Sequence, residues 1–296
     1  MGVFSRLKTG FGMARRSGRV LRAHPKLFVF PLVGGLSGIA FIATLFGSLY
    51  LTGPLFEDPG PTVYAALFVA YLVETFIASF FTAALVAATH TAFHGEEPSI
   101  RAALATAWQR KVPLLIWSVI AAIVGVIIRA IESEENLAAQ IVAGLFAVAW
   151  SVMTYFVVPV IVFRDPSVTE MFSESARTFK DTWGESIGAV GAIDIFSFLL
   201  AVAGLGLGAL TFVVTAGTGT VQLLATVLIG GSAFLFGLLV GKALSGVAKT
   251  ALYVYATEST APEFFDDMDF SELGGDRSSS TRGLGGGLGG SGGGQI

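Results

Sequence analysis

The sequence predicts an all-α membrane protein with six transmembrane helices and three amphipathic helices at the cytoplasmic interface. Of its 296 residues, 53% are hydrophobic and 13% are charged, and the mean hydropathy is +0.74, whereas globular chains carry about 25% charged residues. The apolar residues gather in stretches long enough to cross a bilayer, and the basic residues gather between them. The lack of cysteine excludes disulfides and thiolate chemistry.

Residues 1–26 are typical of a basic amphipathic helix. Phe11, Ala14 and Leu21 recur at helical spacing, which favours an interfacial helix with its apolar face in the acyl boundary. A cleaved signal peptide is disfavoured because the basic region is too long and no A-x-A site follows. Nucleic-acid binding is disfavoured because the run abuts a span. The side chains expected to contact anionic lipid headgroups are Arg15, Arg16, Arg19 and Arg22.

Six apolar stretches then supply the predicted spans, each judged against the roughly 20 residues that a transmembrane helix needs. The third is short, and Arg129 at its end can extend to the interface. Pro159 predicts a kink in the last turn of the fourth. The spans are Phe28–Leu51, Val63–Ala92, Pro113–Ile128, Leu137–Phe163, Ile187–Val214 and Val221–Leu244, the last helix continuing to Ala256.

Two further amphipathic helices are predicted between spans. Pro98-Ser99 and Pro166-Ser167 resemble helix starts, and the second opens a helix through Trp183. An amphipathic helix before each pair of spans suggests a threefold internal repeat, although convergent capping explains the match as well. Their basic residues either bind anionic headgroups or only set topology; these residues are Arg110, Lys111 and Lys180.

The distribution of basic residues predicts the threading. Lys and Arg occur in residues 1–26, in the 2–3 and 4–5 connections and at the end of span six, while the 1–2 and 5–6 connections have none. The 3–4 connection has only Arg129, beside three glutamates. The positive-inside rule therefore predicts a multi-pass protein of the cell membrane with both termini in the cytoplasm.

The C-terminal tail differs in composition from the rest of the chain. Residues 1–257 form the predicted transmembrane domain, and residues 258–296 are acidic, then glycine-rich, and predicted to be disordered. The segment PEFFDDMDFSEL is either a docking peptide for a cytoplasmic protein or a charged linker. Its apolar residues are Phe264, Phe265, Met268 and Phe270.

Three segments carry a resemblance to a known family. They are HPKLFVFPLVGGL, PLLIWSVIAAIVGVIIRAIE and, most closely, AWSVMTYFVVPVIVFRDPSVTEMFSESARTFKDTWGESI. They resemble a prokaryotic six-span membrane family of unknown function, over residues 1 to about 257. The architecture is also broadly similar to the membrane domain found with some glycerophosphodiester phosphodiesterases. The resemblance implies a location and a fold, and no activity.

Glu74 is the first candidate functional residue. It lies roughly 18 Å of helix inside the second span, and a carboxyl at that depth marks function by default. The sequence shows no basic residue at matching depth. Glu74 is either a proton or cation site of a transporter or, as we favour, a protonated carboxyl that hydrogen-bonds a neighbouring hydroxyl.

Asp194 and Lys242 are the second candidate. Each lies 24 positions from the turn near residue 218, so an antiparallel hairpin brings both to one depth. We predict a structural ion pair, since removing either partner would leave an uncompensated buried charge.

His90 and His94 share a helix face at a spacing that can hold a divalent metal. The metalloprotease pattern requires Glu after the first His, and Thr91 stands there. Because the helix fixes only two ligands, we predict an interfacial helix end, with no metal and no cofactor.

We therefore predict a non-enzymatic membrane protein that organises lipid or partner proteins at the cytoplasmic face. The alternative is a transporter or channel for a small solute or ion that uses Glu74. The glycine-rich last two spans and Pro159 favour the alternative, whereas the lack of other buried charge favours the first hypothesis. The expected partners are membrane lipids and a cytoplasmic protein at the tail, and nucleic acid is not expected. The sequence does not define the oligomeric state.

Overall fold

The computed structural model describes residues 3–52, 61–133, 136–183, 191–258 and 260–266. Throughout these ranges the regular elements are helical, with a short 3₁₀ helix at Pro25–Phe28 and a π-helical segment at Thr226–Gly231. The α-helices are α1 Val3–Ala23, α2 Val29–Thr52, α3 Pro61–Phe93, α4 Ile100–Gln109, α5 Lys111–Glu132, α6 Leu137–Thr154, α7 Val157–Arg164, α8 Val168–Trp183, α9 Gly191–Val214, α10 Thr220–Ala225 and α11 Ser232–Glu258.

Five helical stretches are long and apolar enough to cross a membrane, which supports the multi-pass prediction. The described apolar part of α9, Phe198–Val214, is shorter than a span, and the predicted fifth span begins among residues outside the described ranges. The count of six therefore stays a prediction. The five stretches are Pro25–Leu51, Tyr64–Phe93, Lys111–Glu132, Leu137–Arg164 and Thr220–Glu258.

Among the described residues, the bundle is packed most tightly at one end. There, α1, α4, α7 and α8 surround the C-terminal halves of α3 and α11, and we call this region the compact end. Ala107, Ile161 and Ala251 within it are fully buried. Many large apolar side chains elsewhere are exposed, with Leu51 at 83% and Val214 at 75%. Such an apolar surface suits a lipid surrounding.

The amphipathic helices lie against protein. In α1, Met13, Ala14, Val20 and Leu21 are at most 3% exposed and pack where α1 meets α9 and α11. The prediction that this face lies in the acyl boundary is therefore wrong for Ala14 and Leu21, whereas Phe11 is 59% exposed. A hydrophobic stripe defines which face is buried, but not whether lipid or protein covers it.

Capping confirms the starts predicted for α4 and α8. The backbone N–H of Ala102 donates to the Ser99 hydroxyl at 3.4 Å. At α8 the Glu170 carboxylate accepts from the Ser167 N–H at 2.9 Å and from its hydroxyl at 2.7 Å. These two hydrogen bonds hold the pKa of Glu170 below its usual value.

Pro159 interrupts the fourth predicted span, but one turn earlier than predicted. A proline lacks an N–H and clashes with the carbonyl four residues before it, which here is that of Tyr155. The α-helix is interrupted between Thr154, where α6 ends, and Val157, where α7 begins. The Phe156 N–H exposed by the break donates to the buried Ser175 hydroxyl at 3.0 Å, so α8 stabilises the broken helix.

Glycines bring α9 and α11 into backbone contact. A Cβ at Gly204 would lie 2.4 Å from the Phe234 nitrogen, and one at Gly230 would lie 2.4 Å from the Gly208 Cα. Nothing lies within 4 Å of a Cβ built at Gly206 on the same helix. The small residues of the last two predicted spans therefore make a close helix contact.

The tail returns to the compact end instead of leaving it at Glu258. Phe265 is fully buried, with its ring edge-on to Phe93 at 5.8 Å. Its N–H donates to the Pro262 carbonyl, and Phe264 adopts a positive φ of 74°. The described residues 260–266 therefore pack on the core, and disorder of the tail stays a prediction. Met268 and Phe270 lie outside the described residues.

Ion pairs connect the loops of the compact end. Lys26 donates to Glu97 at 2.5 Å, which lowers the pKa of the Glu97 carboxyl. Arg110 pairs with Asp165. The loops that the basic residues assign to one side of the membrane therefore meet at one end of the bundle.

Candidate intramembrane binding site

A cavity of about 790 Å³ lies between α3, α6, α7 and α11. Its charged lining residues are Glu74 on α3 and Lys242 and Lys249 on α11. Hydroxyl groups make up much of the remaining polar wall. They belong to Thr75, Ser79, Thr82, Ser151, Thr154 and Tyr155. The sequence singled out Glu74 and Lys242, but not Lys249 or the hydroxyls.

The Glu74 carboxyl packs against Gly38 of α2. A Cβ at Gly38 would lie 2.7 Å from the Glu74 Oε2 and 3.2 Å from its Oε1. The buried Oε1 has no hydrogen-bond partner among the described residues. The protonated Glu74 carboxyl hydrogen-bonded to Ser, Thr or Tyr, which the sequence favours, therefore stays a prediction.

The structure brings a basic residue, Lys242, to the same cavity as Glu74. Both side chains line the cavity, and Coulombic attraction acts between them. The sequence could not show this because counting from the 5–6 turn gives no register between α11 and α3. The side chain of Asp194 lies outside the described residues, so its pair with Lys242 stays a prediction.

A second cavity of about 430 Å³ lies on the α2 side of α3. It shares Glu74, Ala78, Thr82 and Lys242 with the first. The two spaces therefore meet at the Glu74 and Lys242 side chains.

Aromatic contacts hold the wall of the larger cavity. Lys249 lies over the Tyr155 ring at 4.3 Å, a cation–π contact that fixes the direction of its ammonium group. The Trp117 indole N–H donates to the Ser79 hydroxyl at 3.0 Å, and its ring stacks on Trp150. The cavity is thus preformed by packed side chains.

The larger cavity is open along α6. This helix packs mainly on α5 and α8, which leaves a gap towards α3 and α11. Val148, in the cavity wall, is 58% exposed, and Ser151 is also exposed. A molecule of the surrounding bilayer can therefore reach the charged groups from the side.

The basic surface residues fall into two groups. Arg110 is engaged by Asp165, Lys111 lies over the Trp108 ring at 4.4 Å, and Arg19 donates to the Phe264 carbonyl at 3.3 Å. The second group is exposed at the surface and consists of Arg15, Arg22 and Lys180. Arg16 is half-buried. His90 and His94 lie at the compact end, away from the cavity.

These features define a multi-pass helical membrane protein with a polar cavity inside its bundle. The chain belongs to a family of unknown function (DUF6159), whose model matches residues 62–263. That match covers more than half of the chain and supports the family resemblance, whereas nothing links the chain to glycerophosphodiester phosphodiesterase membrane domains. No curated protein and no solved structure matches the sequence.

Proposed function

We propose that the protein is non-enzymatic and organises membrane lipid by holding an anionic phospholipid headgroup in the larger cavity. The observation that carries the proposal is the pair of lysines, Lys242 and Lys249, in an intramembrane cavity of about 790 Å³. Ligand pockets span about 300–1,000 Å³, so the space suits a headgroup. The protein lies in the cell membrane with six spans and both termini in the cytoplasm.

Charge supports an anionic ligand. Two of the described side chains that line this cavity, Lys242 and Lys249, end in ammonium groups. A phosphodiester carries one negative charge and accepts charge-assisted hydrogen bonds from ammonium groups. The serine and threonine hydroxyls can donate to the remaining phosphate and glycerol oxygens.

The opening along α6 supports a lipid over a water-borne solute. A phospholipid can place its headgroup among the lysines while its acyl chains stay among the exposed apolar residues of α6. The exposed basic residues of α1 and α8 would attract anionic lipid to the compact end. The tail beyond residue 266 would bind a cytoplasmic protein.

Lys242→Gln combined with Lys249→Gln is expected to abolish phospholipid retention. Each ammonium–phosphate hydrogen bond contributes about 1.5–3 kcal/mol, so losing two weakens binding by more than about 100-fold. The measurement is native mass spectrometry of protein released from nanodiscs that contain phosphatidylcholine and phosphatidylglycerol. The wild type should retain phosphatidylglycerol.

Arg129→Gln is the control, because it removes an exposed charge that pairs with Glu132 at the C-terminal end of α5, away from the cavity, and should leave retention unchanged. Equal retention by the double variant and the wild type would overturn the proposal.

The second candidate is a transporter or channel that uses Glu74. It is favoured by the buried Oε1 of Glu74, which lacks a hydrogen-bond partner in the described chain and lies where two cavities meet. A proton flux in liposomes that Glu74→Gln abolishes would establish this function instead.

A further inference from the structure

Three potential metal ligands converge at the compact end, outside the cavity. His90 and His94 lie at the end of α3, and Glu258 is the last residue of α11. One ligand atom from each lies within 4.8 Å of the others. The Nε2 of His90 is 3.6 Å from one Glu258 oxygen, and the Nε2 of His94 is 4.0 Å from the other.

A backbone contact fixes the direction of the His94 lone pair. The Nδ1 of His94 lies 2.9 Å from the His90 carbonyl oxygen. A carbonyl only accepts, so Nδ1 carries the proton and the Nε2 of the neutral ring carries the lone pair. Metal-bound histidines are oriented by this kind of hydrogen bond from the other ring nitrogen. The Nε2 lone pair is therefore available to a metal ion beside the Glu258 carboxylate.

The two imidazole rings are close enough to bind the same ion. The His90 and His94 rings lie 4.3 Å apart, and imidazole nitrogens and carboxylate oxygens are among the ligands that Zn²⁺ takes in proteins. The Phe163 ring, 4.8 Å from His90, shields one side of the cluster.

We propose that His90, His94 and Glu258 bind one divalent transition-metal ion of the zinc class. Tetrahedral Zn²⁺ with bonds of about 2.0–2.1 Å separates its ligand atoms by about 3.4 Å. The two nitrogen–oxygen distances of 3.6 and 4.0 Å lie near that value, and the Glu258 side chain is exposed. Three protein ligands leave the fourth position to water or a partner.

The bound ion would join the ends of α3 and α11. Phe93, in the last turn of α3, contacts Phe265 of the returning tail. Glu258 ends α11 just before that tail segment. The metal therefore stabilises the region where the tail leaves α11 and returns to the core, independently of the lipid cavity.

The test is a titration of the tag-free full chain in detergent, stripped with a chelator, with Zn²⁺ by calorimetry and with Co²⁺ by absorption. We expect one ion per chain and the visible spectrum of tetrahedral Co²⁺. His94→Ala should weaken Zn²⁺ binding by more than about 100-fold, since even changes around metal ligands cost 10–100-fold. Glu258→Gln should also weaken it.

The third histidine of the chain is the matched control, because His24→Ala keeps both proposed histidine ligands. Its Zn²⁺ affinity should equal that of the wild type. Melting temperatures in chelator show that each variant is folded. Absence of Zn²⁺ binding by the wild type, or an unchanged affinity in folded His94→Ala, would overturn the proposal.

Discussion

Phe265→Ala is expected to lower the free energy of unfolding by about 3–5 kcal/mol, the range for truncating a buried Phe. The ring is fully buried against Phe93. Its position also holds Phe264 at a positive φ, which costs a residue with a Cβ about 1–2 kcal/mol. Loss of the ring removes the contacts that oppose this strain. Denaturant unfolding in detergent micelles measures the change.

Phe236→Ala serves as the control for that prediction. Phe236 lies on α11 and is 67% exposed, so its truncation should change the unfolding free energy by less than about 1 kcal/mol. Similar losses in the two variants would show that the tail does not contribute to the core.

Lys242→Met is expected to destabilise the protein by about 1–2 kcal/mol, and Glu74→Gln should rescue it. Removing one of two attracting charges leaves the other without compensation in a low-dielectric region. The loss is smaller than the 3–5 kcal/mol typical of a sealed pair, because Lys242 is exposed to the cavity. The melting temperatures of both single variants and the double variant measure the coupling.

Pairing of Lys242 with Asp194 instead of Glu74 would give a different result. If Lys242 pairs with Asp194, as the hairpin spacing predicts, Asp194→Asn should rescue Lys242→Met and Glu74→Gln should not. Additive losses in both double variants would show that Lys242 is coupled to neither acid.

The features predictable from the sequence are those that depend on local chemistry. The spans follow from apolar length, the starts of α4 and α8 from Ser99 and Ser167, and the helix break from Pro159. Each depends on residues within one or two turns of each other. Glu74 was predictable as a candidate because a carboxyl stands out in an apolar helix.

The features not predictable from the sequence depend on contacts between distant segments. Lys242 meets Glu74, and Glu258 meets His94, only because α3 and α11 pack together. Phe265 is buried because the tail returns to α3, although its acidic surroundings are typical of a linker. The π-helical segment in Thr226–Gly231 also shifts the register of the last span, which counting from the turn could not include.

The most direct test of the lipid-binding cavity uses the lack of cysteine in this chain. Ser151→Cys places a thiol in the cavity wall, and Ala149→Cys places one about 200° away around α6. A hydrophilic thiol reagent should label the Ser151→Cys protein about 10-fold faster in phosphatidylcholine vesicles, because thiolate formation needs water. Added phosphatidylglycerol should slow that labelling alone. Equal labelling at the two positions, or no effect of phosphatidylglycerol, would contradict a cavity that holds an anionic headgroup.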